Sequence, residues 1–318
     1  DPKANLIYQD EKNNYWFNSK EKGVYVYDGN RLLLLTMKDG LCSNVILNMQ
    51  EDKLGNIYFD TPEGVSKFDG QQFKKLKIIE DMPVNNKWKS EPDNLWFRMG
   101  WDKSGPYRFD GNNLHYLEFP KNKMGNEFYA INPNASYNPY GIYSMYKDKN
   151  GNIWFGTSNA GIYRFDGEKV NWMYEKQLTE TPGGGSFGIR SIVEDNDGYF
   201  WICNSSFKYK VLPDTNENFE INPINYKREI GIENKGKSVP YFLSMVTDNK
   251  GDLWMTTYDN GVWRKKGEEL IQYPVKEGVR SILLSFIYKD KKGVLWLGTQ
   301  TDGSYKFNGD TFVKFKMN

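Results

Sequence analysis

Apolar and polar positions alternate in short runs along the whole chain, and Gly, Asn or Asp cuts each run after a few residues. The stretch from Tyr143 to Gly167 shows the unit most clearly. An apolar segment from Tyr143 to Asp148 predicts a first strand, and Lys149-Asn150-Gly151 predicts a tight turn. Alternation through Ile153, Trp154 and Phe155 predicts a second strand, because successive strand side chains point to opposite faces. A loop ending at Gly161 leads to a third strand, IYRF at 162–165. Asp166-Gly167 then predicts a two-residue hairpin, since both central positions of a type I′ turn need positive φ. Asp28-Gly29, Asp69-Gly70, Asp110-Gly111 and Asn308-Gly309 repeat that signal, and fourth strands such as TFVKF at 311–315 follow.

The unit recurs. YKDKNGNIWFGTSNAGIYRFDG at 146–167 and YKDKKGVLWLGTQTDGSYKFNG at 288–309 match almost position for position. Weaker copies stand at 8–29, 50–70 and 247–267. Two more, at 92–111 and 193–213, are degenerate, and the last loses its closing turn. The aromatic anchors Trp16, Tyr58, Trp96, Trp154, Trp201, Trp254 and Trp296 recur at blade-like intervals of roughly forty to sixty residues. The pattern predicts an all-β fold, a seven-bladed β-propeller of four-stranded antiparallel blades filling 1–318 as one domain. The blades are expected near 5–36, 44–77, 84–119, 141–174, 188–224, 240–273 and 279–316. Each Trp is expected between neighbouring blades, where a flat ring fits the gap between sheets.

Composition narrows the function. The 42 Lys+Arg and 41 Asp+Glu leave a net charge of +1, without the basic excess of a nucleic-acid binder. Aromatics make up 16% of the 318 residues, enough to fill a core although the apolar content is only 38%. Cys42 and Cys203 are too far apart for a C-x-x-C site and read as small buried thiols. The longest apolar run, around Ile282 to Tyr288, falls far short of the ~20 residues that span a membrane. The chain begins at Asp1 without a methionine, as a chain does once a signal peptide or lipoprotein leader has been removed.

The unit D-x-x-G-x-x-W-x-G-T…G-x-Y-x-F-D-G resembles the two-component regulator propeller repeat. The resemblance runs from Leu6 to Phe315 and is most specific at Gly151, Trp154, Gly156, Thr157 and Gly161, and around Trp296. It is poor around Trp96 and Trp201. It implies a seven-bladed sensor domain of a bacterial hybrid two-component system, often from Bacteroidetes, located in the periplasm or at the cell surface. Members of that family also carry further propeller repeats, a β-sandwich, a membrane helix and kinase modules. A sialidase Asp-box would place Asp five residues before Trp, whereas Asp148, Asp195, Asp248 and Asp290 sit six before. A WD-type repeat would need a Gly-His pair in each copy, and the chain has one His.

Strand parity selects a functional face. Turns between strands one and two, and three and four, share one face and are short Gly hairpins. The second-to-third loops and the connections between blades share the other, where the insertions at roughly 120–141, 175–188 and 213–240 are expected. Long loops on a rigid scaffold are where binding concentrates. Trp101, in the loop MGWDKSG, offers a stacking surface for a sugar or aromatic ligand, and Tyr258 and Asp259 occupy the matching loop of blade six. Tyr140, Tyr143, Arg190, Tyr241 and Arg280 stand where first strands begin, near the expected channel mouth, and could hold a polar or anionic ligand. The expected ligand is a glycan or other small polar molecule. An envelope protein partner is the alternative.

Catalysis finds little support. The propeller lyases that these repeats resemble depend on histidine, and the only one, His115, falls in an outer strand. Ser-centred hydrolysis has no spare His, and GGGS at 183–186 lacks the Lys-Ser/Thr of a phosphate loop. No cofactor and no catalytic or metal residues are expected. Asp195-Asn196-Asp197-Gly198 and Asp148-Lys149-Asn150-Gly151 look like calcium turns, but an Asp that recurs in most blades is better explained by accepting turn N–H bonds.

Overall fold

A computed structural model describes residues 3–79, 91, 93–180, 185–213, 222–233 and 241–316. Its main sheets form the seven blades of a propeller. Blade one is Asn5–Gln9, Tyr15–Asn18, Val24–Tyr27 and Leu32–Leu35; blade two is Asn48–Glu51, Ile57–Thr61, Gly64–Phe68 and Phe73–Lys75. Blade four is Ile142–Lys147, Ile153–Thr157, Ile162–Phe165 and Val170–Met173. Blade six is Ser244–Thr247, Leu253–Thr256, Val262–Lys266 and Glu269–Tyr273; blade seven is Leu284–Lys289, Leu295–Thr299, Tyr305–Phe307 and Phe312–Lys314. These five are plain antiparallel meanders. The core is a ring of inter-blade clusters, such as Trp154 of blade four against Phe200 and Ile202 of blade five.

One device recurs in six blades. The Asp six residues before the anchor takes the indole N–H on Oδ2, as in Trp154 Nε1 to Asp148 at 2.8 Å and Trp296 Nε1 to Asp290 at 2.8 Å. Asp10, Asp195 and Asp248 do the same for Trp16, Trp201 and Trp254. In blade two the Tyr58 hydroxyl donates to Asp52 at 2.9 Å, so Tyr replaces Trp without loss of the bond. Oδ1 of Asp148 accepts from the N–H groups of Asn150 and Asn152, which fixes the turn. Each such carboxylate is therefore saturated by its own blade.

Blades three and five depart from the pattern. In blade five, Ile192–Glu194, Tyr199–Ile202 and Phe207–Val211 are followed by Tyr226–Ile230, which pairs antiparallel with the third strand. The blade thus runs past the expected limit at 224. The third and fourth strands join on the short-hairpin face, where Leu212 and Asn225 are bonded, so the start of the insertion expected at 213–240 belongs to that face and not to the long-loop face. Asn222–Pro223 from that excursion adds a parallel strand to the outer edge of blade four. Blade three holds Leu95–Phe97, Tyr107–Phe109 and Leu114–Tyr116, with Ile78–Ile79 parallel on its outer edge. Among the described residues no strand pairs with the inner edge of Leu95–Phe97; the expected start at 84 lies outside them.

The ring closes without strand exchange, blade one coming wholly from the N-terminal part of the chain and blade seven from the C-terminal part. A side-chain clasp joins them. Asn5 donates to the Thr299 carbonyl at 2.8 Å and accepts from its N–H at 2.9 Å, and Gln9 Oε1 accepts from Lys291 N–H at 2.7 Å. Both cysteines are free. Cys203 is buried, which pushes its thiol up to about 11, and Cys42 is half-buried.

Candidate ligand site

First strands start on the long-loop face, so their opening residues surround one mouth of the central channel. A cavity of about 540 Å³ sits there, within the ~300–1,000 Å³ usual for small-molecule sites. Blades two to seven contribute to its wall, through Asn48, Arg98 and Trp101, Tyr143, Arg190, Ser244, and Ser285 with Phe286. No carboxylate lines it among the described residues. A second cavity, of about 590 Å³, opens at the other end of blade three, between the first strands of blades two and four. There Asp52 is taken by its own turn, and Lys53 pairs with Asp93.

Blade three shapes the mouth. Among the described residues no strand pairs with the inner edge of its second strand, and neighbouring side chains bond the backbone there. Gln50 of blade two donates to the Trp96 carbonyl at 2.5 Å and accepts from its N–H at 3.4 Å. Asp60 takes the N–H groups of Arg98 and Met99, both at 3.0 Å. Burial pushes the Asp60 carboxyl up to about 6, against the pull of those bonds and of the Arg98 charge. Arg98 is held between blades: Nη1 donates to the Tyr143 carbonyl at 3.2 Å and Nη2 to that of Leu47 at 3.0 Å. Its buried Nε has no hydrogen-bond partner among the described residues.

The following turn carries strain that aims Trp101. Met99 has φ 51° and Gly100 φ 114°, and a left-handed non-glycine residue costs on the order of 1 kcal/mol. The ring of Trp101 remains 45% exposed, with the Arg98 guanidinium over it at 4.9 Å. Its backbone rests so close to Gly141 that a Cβ there would lie 2.3 Å from the Trp101 carbonyl oxygen. Asn138 clamps the same loop through Asp102 O and Ser104 Oγ, both at 2.9 Å. The 120–141 insertion thus supports the Trp101 loop.

Bulges aim two further residues. The first strands of blades four and seven shift register between Ile142 and Ser144 and between Leu284 and Phe286, so Tyr143 and Ser285 occupy bulges and face the mouth. Gly298, opposite Phe286, leaves space for that ring; a Cβ there would stand 2.2 Å from it. Arg190 lies between the rings of Tyr143 at 4.8 Å and Phe187 at 5.0 Å, and its Nε donates to Phe187 O at 3.1 Å.

Of the eight residues expected at a binding face, the mouth therefore gathers Trp101, Tyr143 and Arg190. Tyr140 is misplaced: it is buried, and its hydroxyl accepts from Asn122 N–H at 3.1 Å, packed against Gly125 of the helix Lys123–Ile131. It anchors the insertion instead. Tyr241 is half-buried beyond Phe187, and its hydroxyl donates to Glu180 O. Tyr258 and Asp259 are exposed away from the cavity wall. Arg280 is tied to Asp302 at 2.6 Å and Glu277 at 2.8 Å.

Sequence reasoning missed Arg98, although a signal was present. The second residue after each anchor is Asn18, Asp60, Arg98, Gly156, Cys203, Thr256 and Gly298 in turn. One copy alone places a cation at that position.

Residues 136–159 match the two component regulator propeller family. No curated protein matches the chain at a significant level. Among solved structures, the chain resembles the extracellular domain of a hybrid two component system, BT4673, from B. thetaiotaomicron, with 20% identity and a TM-score of 0.63. The alignment covers 94% of this chain and 37% of that one, so the chain spans well under half of that domain. Virginiamycin B lyase from Staphylococcus aureus aligns with 12% identity and a TM-score of 0.64 over 95% of this chain and 93% of its own. PorZ, a surface component of the type-IX secretion system of Porphyromonas gingivalis, aligns with 18% identity and a TM-score of 0.59, over 97% and 45% respectively. At these identities the structures speak for the fold, and the repeat speaks for the family. Residues 136–159 thus carry a repeat of the two component regulator propellers, on a fold that the chain shares with these structures.

Proposed function

We propose that this propeller is a sensing domain outside the cytoplasm that binds a small polar ligand, a glycan by its chemistry, at the long-loop mouth of the channel. The observation that carries the reading is the convergence of Trp101, Tyr143 and Arg190 on one cavity. Flat aromatic faces suit the apolar faces of sugar rings, and unpaired polar groups between them fix orientation. The likeness to an extracellular two component domain supports an extracytoplasmic sensor, and no helix among the described residues is long and apolar enough to cross a membrane.

The domain binds without turnover. The likeness to a lyase carries no chemistry here, because the sole histidine, His115, is bonded to Asp110 at 2.6 Å in an outer strand of blade three. A thermal-shift screen against an oligosaccharide library tests the reading. A hit should raise the melting temperature by mass action, about 2.7 kcal/mol of stability at a hundredfold excess over Kd. Trp101→Ala should remove that shift; a screen without hits, or hits indifferent to Trp101→Ala, speaks against this site.

A second reading, an envelope scaffold, draws on Tyr129, Ile131 and Tyr137, apolar side chains exposed on the 120–141 insertion. It predicts capture of an envelope protein that is lost on Ile131→Asp and Tyr137→Asp.

A further inference from the structure

The charge of the mouth narrows the ligand. Arg98 and Arg190 both reach the cavity wall, and no described carboxylate does. The two differ in how they are compensated. Arg98 has Asp60 behind it, bonded to its own backbone N–H, and gives two guanidinium protons to carbonyl groups of the channel wall. Arg190 is exposed and, among the described residues, forms no ion pair and commits only its Nε, to Phe187 O. Its two terminal nitrogens are left free, while the rings of Tyr143 and Phe187 fix the plane of the guanidinium. Two other exposed arginines do find acids: Arg280 finds Glu277 and Asp302, and Arg228 finds Glu175. An arginine held in plane with both terminal N–H pairs free presents the fork that takes two oxygens of one anionic group.

We propose that the mouth selects a sugar bearing an acid group: the anion is taken by Arg190 under the positive field of Arg98, and the ring lies against Trp101. Asn48, exposed on the opposite wall and without a side-chain partner among the described residues, and the Ser285 hydroxyl offer hydrogen bonds to ring hydroxyls. A carboxylate and a sulfate ester share the chemistry that the fork recognises. This inference rests on the mouth being a ligand site at all, and the experiment separates the two claims.

Calorimetric titrations of the whole chain would use three probe sets at low and at moderate salt: uronic-acid oligosaccharides, their neutral hexose counterparts, and sulfated monosaccharides. The expected result is binding of acidic probes roughly tenfold or more above the neutral counterparts, the size of one charge-assisted contact, and weaker in salt. Arg190→Gln should erase that preference and change the melting temperature of the free protein little, since the exposed Arg190 side chain makes one bond to a loop carbonyl and lies against two rings. A preference for uronic acids over sulfated sugars would identify a carboxylate, and the reverse a sulfate ester. Equal binding of neutral and acidic probes, with Arg190→Gln indifferent, overturns the acid-group inference and leaves the mouth as a neutral-sugar site. If acidic and neutral probes all fail to bind, the ligand-site reading falls, and this inference with it.

Discussion

Blades four and three stand side by side and answer the same repeat differently. In blade four every copy position serves the fold: Asp148 ties the turn to Trp154, and Gly156 leaves room for Ser144 Oγ and Ile189 O, which a Cβ would approach to 2.4 Å and 2.5 Å. In blade three the described residues show no inner partner for Leu95–Phe97, and Arg98 occupies the position of Gly156. Gln50 and Asp60 of blade two take over the bonds that an inner strand would make. The difference teaches that a repeat protein places chemistry where its repeat fails. At the second position after its anchor an intact copy has no room for a side chain, whereas a degenerate copy supported by its neighbours can carry a cation there and an exposed aromatic ring beyond it.

The sharpest way to break this comparison is to remove the fold-serving ring. Trp154→Ala opens the interface between blades four and five and leaves the Asp148 oxygen without its indole donor, so it should cost about 3–5 kcal/mol in urea unfolding. A loss under about 1 kcal/mol would show that blade four does not depend on its anchor.

Asp60 gives the next effect. Its folded pKa, raised by burial to about 6, lies above the ordinary carboxylate value, so the folded state holds this proton more tightly than the unfolded state. Its contribution is fully present below the ordinary range and is lost as pH rises to about 6, by on the order of 3 kcal/mol. Asp60→Asn should remove that slope from the pH–stability curve. The slope is read as the difference between the two curves, because Asp110, held down to about 2 chiefly by backbone N–H bonds and by His115 against its burial, contributes the opposite sign at lower pH. Parallel curves would mean that Asp60 does not titrate where its burial places it.

Gly298→Ala should cost roughly 1–3 kcal/mol, since the new methyl group meets the Phe286 ring, and it should also weaken ligand binding because Phe286 lines the mouth. Trp101→Ala should produce the smallest change in stability, within about 0.5 kcal/mol, because its ring is exposed. A large loss would make Trp101 a plug over blade three and remove it from the ligand site.

Much of this architecture was legible in the sequence because turn chemistry is local. Asp148, Asn150 and Gly151 specify their hairpin within four residues, and the Asp–Trp interval repeats in five blades. Blade five was misjudged past 224 because Tyr226–Ile230 is polar and largely exposed, so no apolar period marks it as a fourth strand. Residues 120–141 read as a loop, although Asn122 caps a helix there; Asn122 also reaches Ala160 and Tyr163, contacts across the fold that no local pattern carries. Tyr140 and Tyr143 looked equivalent at the start of one strand. The bulge turns one into the channel, and the insertion covers the other. Arg98 was missed because its site is made by three blades, and only alignment of the copies against each other would have singled it out.

Amide hydrogen exchange, with and without a saturating sugar from the oligosaccharide screen, tests the central claim most directly. The account predicts new protection at residues 98–104, 142–145 and 187–191, with blade four's short hairpin at 148–152 unchanged. Protection confined to the short-hairpin face, or spread evenly over all seven blades, would contradict it.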